Sequence, residues 1–152
     1  MTSTAPSPSV DPARPTVLVV AVALISAENR VLLAQRPKGK SMAGLWEFPG
    51  GKVESNEVPE LALKRELHEE LSIGVEVEDL KPLTFASHAY ERFNLLMPVY
   101  ACRRWFGTLH ARERQALAWV AGDKLADYPM PPADAPLVPV LRDYLARPRL
   151  MS

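Results

Sequence analysis

The sequence predicts an α+β fold in which a mixed β-sheet is sandwiched between α-helices. Two patterns indicate this fold: segments typical of strands alternate with two segments typical of helices, and the first two strand segments look like a hairpin. A hairpin requires antiparallel neighbours. We therefore expect a sheet that contains both parallel and antiparallel pairs, with helices on both of its faces.

The predicted strands are apolar runs bounded by turn residues. Residues 17–25 are rich in valine, Ala27-Glu28-Asn29 supplies turn chemistry, and residues 31–34 fit a strand that returns beside the first. These two runs predict the hairpin. Charged or glycine-containing turns separate three later apolar runs, at residues 83–85, 93–105 and 116–120.

Residues 58–71 predict the first helix. Pro59 suits its first turn, where the missing N–H costs nothing, and Ser72 together with Gly74 ends it. The stripe that faces the core consists of leucines four residues apart, Leu63, Leu67 and Leu71.

Residues 134–145 predict the closing helix. Pro136 lies in its first turn, and Asp134 is a natural N-cap because its carboxylate can accept the free N–H groups there. On this interpretation Asp134 has a structural role.

The length of 152 residues suits one domain with a hydrophobic core and is too short for two. Residues 1–15 are rich in Ser, Thr, Pro and Ala and predict a disordered N-terminal leader. Residues 16–147 are the predicted domain, and residues 148–152 are a C-terminal tail. The apolar run at 17–25 is shorter than the roughly 20 residues of a membrane helix, and signal-peptide cleavage there would delete a predicted strand.

Charge and cysteine content restrict the partners and the compartment. Lys+Arg and Asp+Glu both number 18, so no net field attracts nucleic acids or an acidic membrane, and any phosphate binding must be local. The single cysteine, Cys102, cannot form an intramolecular disulfide, which fits a reducing compartment. We expect a cytoplasmic monomer or weak homodimer with no direct nucleic-acid partner and no membrane association.

Three carboxylates cluster on one side of the first helix. Glu66, Glu69 and Glu70 are helical neighbours, and each like-charge pair four residues apart costs roughly 0.2–0.5 kcal/mol. A bound cation would offset this repulsion, and ligands that offer only oxygen favour Mg²⁺ first and Mn²⁺ second. Histidine is sparse and His68 lies off the acidic side, which argues against zinc. The alternative is an ordinary solvated helix face.

The segment around this cluster resembles the Nudix box, Gly-x5-Glu-x7-Arg-Glu-U-x-Glu-Glu-x-Gly-U, where U is apolar. The last glycine is replaced by Ser72, so we expect a less tight exit from the helix. Segments 32–37, 43–52 and 131–134 resemble the MutT branch, which hydrolyses oxidised purine nucleoside triphosphates. The resemblance implies a Nudix fold. The matching box positions are Gly51, Glu57, Arg65, Glu66, Glu69 and Glu70.

The resemblance also implies a hydrolase that uses magnesium to cleave a nucleoside triphosphate between its α and β phosphorus atoms. Glu113 matches a further acidic ligand or base, although it can equally be an ordinary charged loop residue. Arg65, which can orient carboxylates, joins Glu66, Glu69 and Glu113 in the catalytic set. Which of these three glutamates takes the proton from water is left open. The implied metal ligands are the carbonyl of Gly50 and the carboxylates of Glu66, Glu69, Glu70 and Glu113.

Five residues are candidates for substrate binding. Arg36, which matches a nucleotide-contacting arginine of the MutT branch, and Lys52 are the basic candidates, and each can equally be a surface charge. Phe48 and Tyr90 are candidates to pack against the base, or simply to fill the core. Asp134, besides its capping interpretation, is a candidate to read the base.

The base that Asp134 would read is open. The best-known MutT enzymes have an asparagine there, whose amide pairs with both N7–H and O6 of 8-oxoguanine, whereas an ionised carboxylate cannot donate. Asp134 can accept from N7–H of 8-oxoguanine or from the amino group of cytosine. The candidate functions are therefore an 8-oxo-dGTP diphosphatase that sanitises the nucleotide pool, a pyrophosphohydrolase of CTP or modified pyrimidine triphosphates, and a non-catalytic nucleotide-sensing module. The intact carboxylate set disfavours the third.

Overall fold

A computed structural model describes residues 14–148 of the chain. Residues 1–13 and 149–152, which include most of the predicted leader and tail, lie outside the described residues. Two short 3₁₀ turns, Val77–Asp79 and Gly122–Asp127, accompany the main elements. In chain order these are β1 (Thr16–Leu24), β2 (Arg30–Gln35), β3 (Trp46–Glu47), β4 (Gly50–Lys52), α1 (Pro59–Leu71), β5 (Lys81–Ala89), β6 (Asn94–Cys102), β7 (Leu117–Ala121) and α2 (Leu137–Ala146).

The strands of the described range form two sheets. The first has the order β4-β1-β6-β5, in which β1 and β6 are parallel and the other neighbours are antiparallel. The second has the order β3-β2-β7 and is antiparallel throughout. The first sheet confirms the predicted mixed pairing, while the division of the strands between two sheets was not predicted.

The predicted hairpin between the first two strands is wrong. β1 pairs with β4 and β6, β2 pairs with β3 and β7, and a single bridge between Ile25 and Val31 joins the two in the described structure. In the turn, Asn29 has a left-handed conformation (φ 62°) and its amide donates to the carbonyl of Leu145 at 2.8 Å. Both strands are buried over most of their length, and each pairs with strands of a different sheet. The turn therefore connects the first sheet to the second.

β1 is the centre of the packing, because its alternate side chains enter two separate hydrophobic clusters. Val20 and Val22 share one cluster with the leucine stripe of α1. Ala21 and Ala23 share the other with the buried leucines of α2. The two helices therefore cover opposite faces of this strand, which confirms the predicted sandwich.

The limits of α1 follow the predicted signals. The helix begins at Pro59, and Ser72 ends it in a left-handed conformation (φ 61°) with its N–H bonded to the carbonyl of His68. In the first turn the carboxylate of Glu60 accepts the Tyr100 hydroxyl at 2.7 Å, which ties the helix to β6. None of the helices between residues 14 and 148 is both long and apolar enough to span a membrane.

The second helix begins at Leu137, and Asp134 is not its N-cap. The carboxylate of Asp134, in a residue only 6% exposed, accepts the N–H of Phe48 at 3.4 Å, while its backbone carbonyl accepts the N–H of Leu137 at 2.9 Å. Pro136 directly precedes the first helical residue, and the residues before it form turns. The capping interpretation is therefore wrong, because the side chain of Asp134 is directed into the protein rather than along the helix axis.

β5 and β6 differ from the prediction in length. β5 has 9 residues, Lys81–Ala89, instead of the predicted three, and β6 ends at Cys102 rather than at Trp105. Trp105 instead stacks on Trp119 of β7 with ring centroids 5.9 Å apart. Trp105 therefore contacts the second sheet rather than extending β6. An apolar run in the sequence looks the same in both cases.

We expect Leu67→Ala to lower the free energy of unfolding by about 2–5 kcal/mol, because Leu67 is fully buried between α1 and the first sheet. Leu61→Ala is the matched control, since it makes the same change in the same helix at a residue that is 51% exposed. That variant is expected to shift stability by less than about 0.5 kcal/mol. Urea unfolding of both variants measures the difference, and equal losses would contradict the assignment of the stripe.

Candidate functional site

Two adjoining cavities open beside β4, with volumes of about 550 Å³ and about 360 Å³. Here the larger is called the apolar cavity and the smaller the acidic cavity, after the side chains that dominate their walls. The two share part of their lining and so form one cleft. The shared residues are Arg36, Glu47, Gly50, Gly51 and Lys52.

The acidic cavity brings carboxylates from separate parts of the chain together. Glu66 and Glu70 come from α1, Glu47 from β3, and Glu113 from the loop before β7. Burial, together with the neighbouring carboxylates of Glu66, Glu113 and Glu47, raises the pKa of Glu70 to about 9. When carboxylates lie so close together that one of them stays protonated, a bound cation would relieve the repulsion between them.

Two glycines allow the backbone of β4 to pass close to these groups. A side chain at Gly51 would place its Cβ 2.3 Å from the carboxylate carbon of Glu66. A Cβ at Gly50 would lie 1.9 Å from the carbonyl oxygen of Val20 in β1. Any larger residue would therefore displace either a carboxylate or the neighbouring strand.

Arg65 organises one flank of the acidic cavity. Its guanidinium binds both carboxylate oxygens of Glu57, at 2.8 and 2.9 Å, and donates to Glu66 at 2.9 Å and to the carbonyl of Lys52 at 3.1 Å. The hydrogen bonds from Arg65 lower the pKa of Glu57 to about 2. Arg65 thus fixes the orientation of Glu66 and joins α1 to β4.

Glu69, which was predicted to join the metal ligands, lies apart from the others. Its side chain is 58% exposed, it forms an ion pair with Arg65 at 3.5 Å, and it does not line the acidic cavity. Its role as a ligand or base stays a prediction.

Among the described residues, the acidic cavity offers oxygen donors but not a closed set of metal ligands. Within residues 14–148 no three acidic, histidine or cysteine side chains converge closely enough to form a ready-made metal site. The cavity nevertheless collects carboxylate oxygens around Glu70, whose pKa is raised by its acidic neighbours. Oxygen donors of this kind have the chemistry that a hard divalent cation such as Mg²⁺ prefers.

The apolar cavity is lined by all five predicted substrate-binding residues, so the fold does bring them together. Asp134 is the most buried acidic residue of its lining, and burial raises its pKa to about 7. The charge of Glu47 also raises this pKa, whereas the N–H of Phe48 and the charge of Arg36 lower it. A carboxyl of this kind is partly protonated at neutral pH, so it can accept or donate a hydrogen bond. The five residues are Arg36, Phe48, Lys52, Tyr90 and Asp134.

Tyr90 supports the segment that carries Asp134. Its hydroxyl accepts the N–H of Ala133 at 3.1 Å, and its ring stacks on Phe93 with centroids 5.1 Å apart. His88 meets the same ring edge-on at 4.5 Å. Tyr90 therefore contributes both a wall of the apolar cavity and a tie to the residue before Asp134.

Arg36 is not a free cation. It binds Glu47 through two hydrogen bonds of 2.9 and 3.0 Å and donates to the carbonyl of Ser41 at 2.6 Å. Burial raises the pKa of Glu47, while the charge of Arg36 opposes this shift. The pair stands between the two cavities, and Lys52 is the exposed cation that reaches both.

Sequence reasoning missed three residues of this site. Glu47 lines both cavities, Arg92 lines the apolar cavity, and Gln115 lines the acidic cavity while being only 8% exposed. An acidic residue between Trp46 and Phe48 was a usable signal for Glu47. Gln115 offered only its position two residues after Glu113, and no local pattern marked Arg92.

This chain is similar in sequence and in fold to known proteins. A family model of the NUDIX domain matches residues 20–139. A CTP pyrophosphohydrolase of Escherichia coli is 43% identical over 121 residues, covering 78% of this chain and 87% of that protein. An 8-oxo-dGTP diphosphatase of Haemophilus influenzae is 36% identical over 130 residues, covering 80% of this chain and 89% of that protein.

A solved MutT structure, from work on Aliivibrio salmonicida and Vibrio cholerae, matches with a TM-score of 0.73 and 31% identity. The match covers 85% of this chain and 98% of that one. Both the predicted family and the predicted fold are therefore confirmed. The chain belongs to the Nudix family, in its MutT-like group, and is a hydrolase of phosphoanhydride bonds.

Proposed function

We propose that this chain hydrolyses nucleoside triphosphates to the monophosphate and diphosphate, with 8-oxo-dGTP as its main substrate. The observation that carries the proposal is the joined cleft, in which an apolar cavity containing a buried Asp134 leads to a cavity lined by carboxylates. The first suits a flat base and the second suits a metal-bound triphosphate. Removal of oxidised guanine nucleotides would keep them out of DNA.

Two groups at Asp134 support recognition of 8-oxoguanine. The carboxylate is an acceptor, and the N–H of Phe48 that it binds at 3.4 Å is a donor that a ligand can take over. 8-Oxoguanine presents an N7–H donor beside the O6 acceptor and complements this pair. Unmodified guanine has an acceptor at N7, which would face an ionised Asp134.

Cytosine triphosphates are the second candidate. The relative from Escherichia coli that is 43% identical is named as a CTP pyrophosphohydrolase. Cytosine presents its N4 amino donor beside the N3 acceptor, so its edge can engage the same Asp134 carboxylate and Phe48 N–H.

The acidic cavity supports a Mg²⁺ site, for which Mn²⁺ would substitute. Glu66, Glu70, Glu113 and the carbonyl of Gly50 would hold the ion, which supplies charge neutralisation of the phosphates and activation of water. Glu70, with a pKa of about 9, would release its proton when the cation enters. Lys52 would contact the phosphates, and Glu66 or Glu113 would accept the proton from the attacking water.

The direct test measures, with Mg²⁺, diphosphate release from 8-oxo-dGTP, dGTP, CTP and dCTP, and AMP release from ADP-ribose. We expect kcat/KM to be highest for 8-oxo-dGTP and lowest for ADP-ribose. A preference for CTP or dCTP would keep the reaction and replace the base. Absence of diphosphate with every triphosphate would overturn the proposal.

The preference for 8-oxo-dGTP over dGTP is expected to rise by about tenfold or more between pH 6 and pH 8.5. Asp134 has a pKa of about 7, so below that pH its protonated form can donate to N7 of guanine, and above it the carboxylate accepts only from N7–H. Competition between the two substrates measures the ratio of kcat/KM, in which the titration of other catalytic groups cancels.

Asp134→Asn is the control for this pH effect, because an amide does not titrate and still offers both a donor and an acceptor. We expect a ratio that is independent of pH in this variant. A wild-type ratio that stays flat across the range would remove Asp134 from base recognition.

Glu70→Gln is expected to lower kcat by roughly 100-fold or more while keeping the metal-free fold as stable as the wild type. The neutral amide removes a carboxyl that its neighbours already keep protonated, so folding loses nothing, whereas a cation loses a charged ligand. Thermal unfolding with and without Mg²⁺ and steady-state kinetics measure the two effects. Near-normal turnover would exclude Glu70 from the metal site, and Glu69→Gln tests the exposed neighbour in the same way.

A further inference from the structure

The loop that carries Glu113 lies against the C-terminal end of α1. The last carbonyl groups of a helix have no partner within the helix and need one elsewhere. The N–H of His110 donates to the carbonyl of Leu71 at 2.9 Å, and the N–H of Arg112 donates to the carbonyl of Glu70 at 3.0 Å. The loop therefore completes the helix end, and the helix end in turn holds the loop.

Gln115 makes a bridge within this contact. Its side-chain N–H donates to the carbonyl of Glu70 at 3.4 Å, and its side-chain oxygen accepts the N–H of Glu113 at 2.9 Å. The residue is only 8% exposed, so neither bond is easily replaced by water. One amide thus links the backbones of two residues whose carboxylates line the acidic cavity.

Ser72 adds a second tie at the place where the chain departs from the Nudix box. It takes up the left-handed conformation (φ 61°) without being glycine, and its hydroxyl accepts a hydrogen bond from the Arg112 guanidinium at 3.1 Å. The serine at this position therefore adds a contact to the residue directly before Glu113.

We propose that Gln115 is a positioning residue, which holds the Glu113 loop on the end of α1 so that Glu113 and Glu70 face one cavity. Beyond this bridge, Glu113 has only one charged contact in the described structure, an exposed pair with Lys40 at 4.0 Å. A pair of that kind contributes little to orientation. The backbone ties therefore determine where the carboxylate of Glu113 lies. The consequence for turnover rests on the proposed function, whereas the positioning itself does not.

The variant Gln115→Met tests the positioning, because methionine keeps the length and approximate volume of the side chain but cannot form either bond. In the metal-free protein we expect hydrogen exchange of the Glu113 amide, followed by NMR, to accelerate about five- to tenfold, as expected for the loss of one hydrogen bond. Amides in the middle of α1 should exchange at the wild-type rate. An unchanged rate at Glu113 would overturn the proposal.

Asn29→Gly is the matched control. It removes another side-chain amide that donates to the end of a helix, at Leu145, and glycine tolerates the left-handed conformation of that turn. This variant is expected to lose stability without any change in exchange at Glu113. If both variants accelerated exchange at Glu113, general destabilisation would explain the result and positioning would be excluded.

Enzyme kinetics provide a second, independent test of the proposal. We expect Gln115→Met to lower kcat 10- to 100-fold with little change in KM, the range found when a supporting partner of a ligating group is removed. In a Glu113→Gln background the same substitution should have almost no further effect, because Gln115 would act through Glu113. If the two substitutions lowered kcat additively, Gln115 would not act through Glu113. If the wild type hydrolysed no triphosphate, the exchange measurement would still decide the positioning.

Discussion

Buried negative charge is the constraint on which the whole cleft depends. Burial raises the pKa of Glu70 in one cavity and of Asp134 in the other, and the carboxylate of Glu47, which lines both cavities, adds to both shifts. Two arginines offset part of this charge, since Arg36 binds Glu47 and Arg65 binds Glu66. The chain has no net charge, so the field is produced entirely by how these few groups are placed. A divalent cation would neutralise the carboxylate charge that the two arginines leave unpaired.

The placement follows from β1. One face of this strand is covered by α1, which supplies Glu66 and Glu70, and the other face is covered by α2. At its edge β1 pairs with β4, where Gly50 and Gly51 leave no room for a Cβ. The carboxylates can therefore lie directly against the backbone of β4. This contact limits how far the side chains can move apart in response to their mutual repulsion.

Local features of the site could be predicted from the sequence, and contacts between distant residues could not. The limits of α1 and the spacing of its carboxylates depend on residues within a few turns of one another, and the structure confirms the helix. The contacts of Asp134 with Phe48 and of Gln115 with Glu70 join residues 86 and 45 positions apart. The capping interpretation of Asp134 was wrong because an acid before a helix has the same local pattern whether it points along the axis or into a cavity. The hairpin failed for the same reason, since a turn shows where a strand ends and not which strand it joins.

A buried carboxyl group in the apolar cavity behaves differently from an amide at the same place. An amide offers a donor and an acceptor at every pH, whereas a carboxyl with a pKa of about 7 changes from donor to acceptor near neutrality. Burial is the largest cause of this shift, and Glu47 and Arg36 adjust it in opposite directions. A change in the Arg36–Glu47 pair is therefore expected to shift the pKa of Asp134 without altering Asp134 itself. If Asp134 reads the base, as we propose, base preference would depend on the pair between the cavities as well as on Asp134.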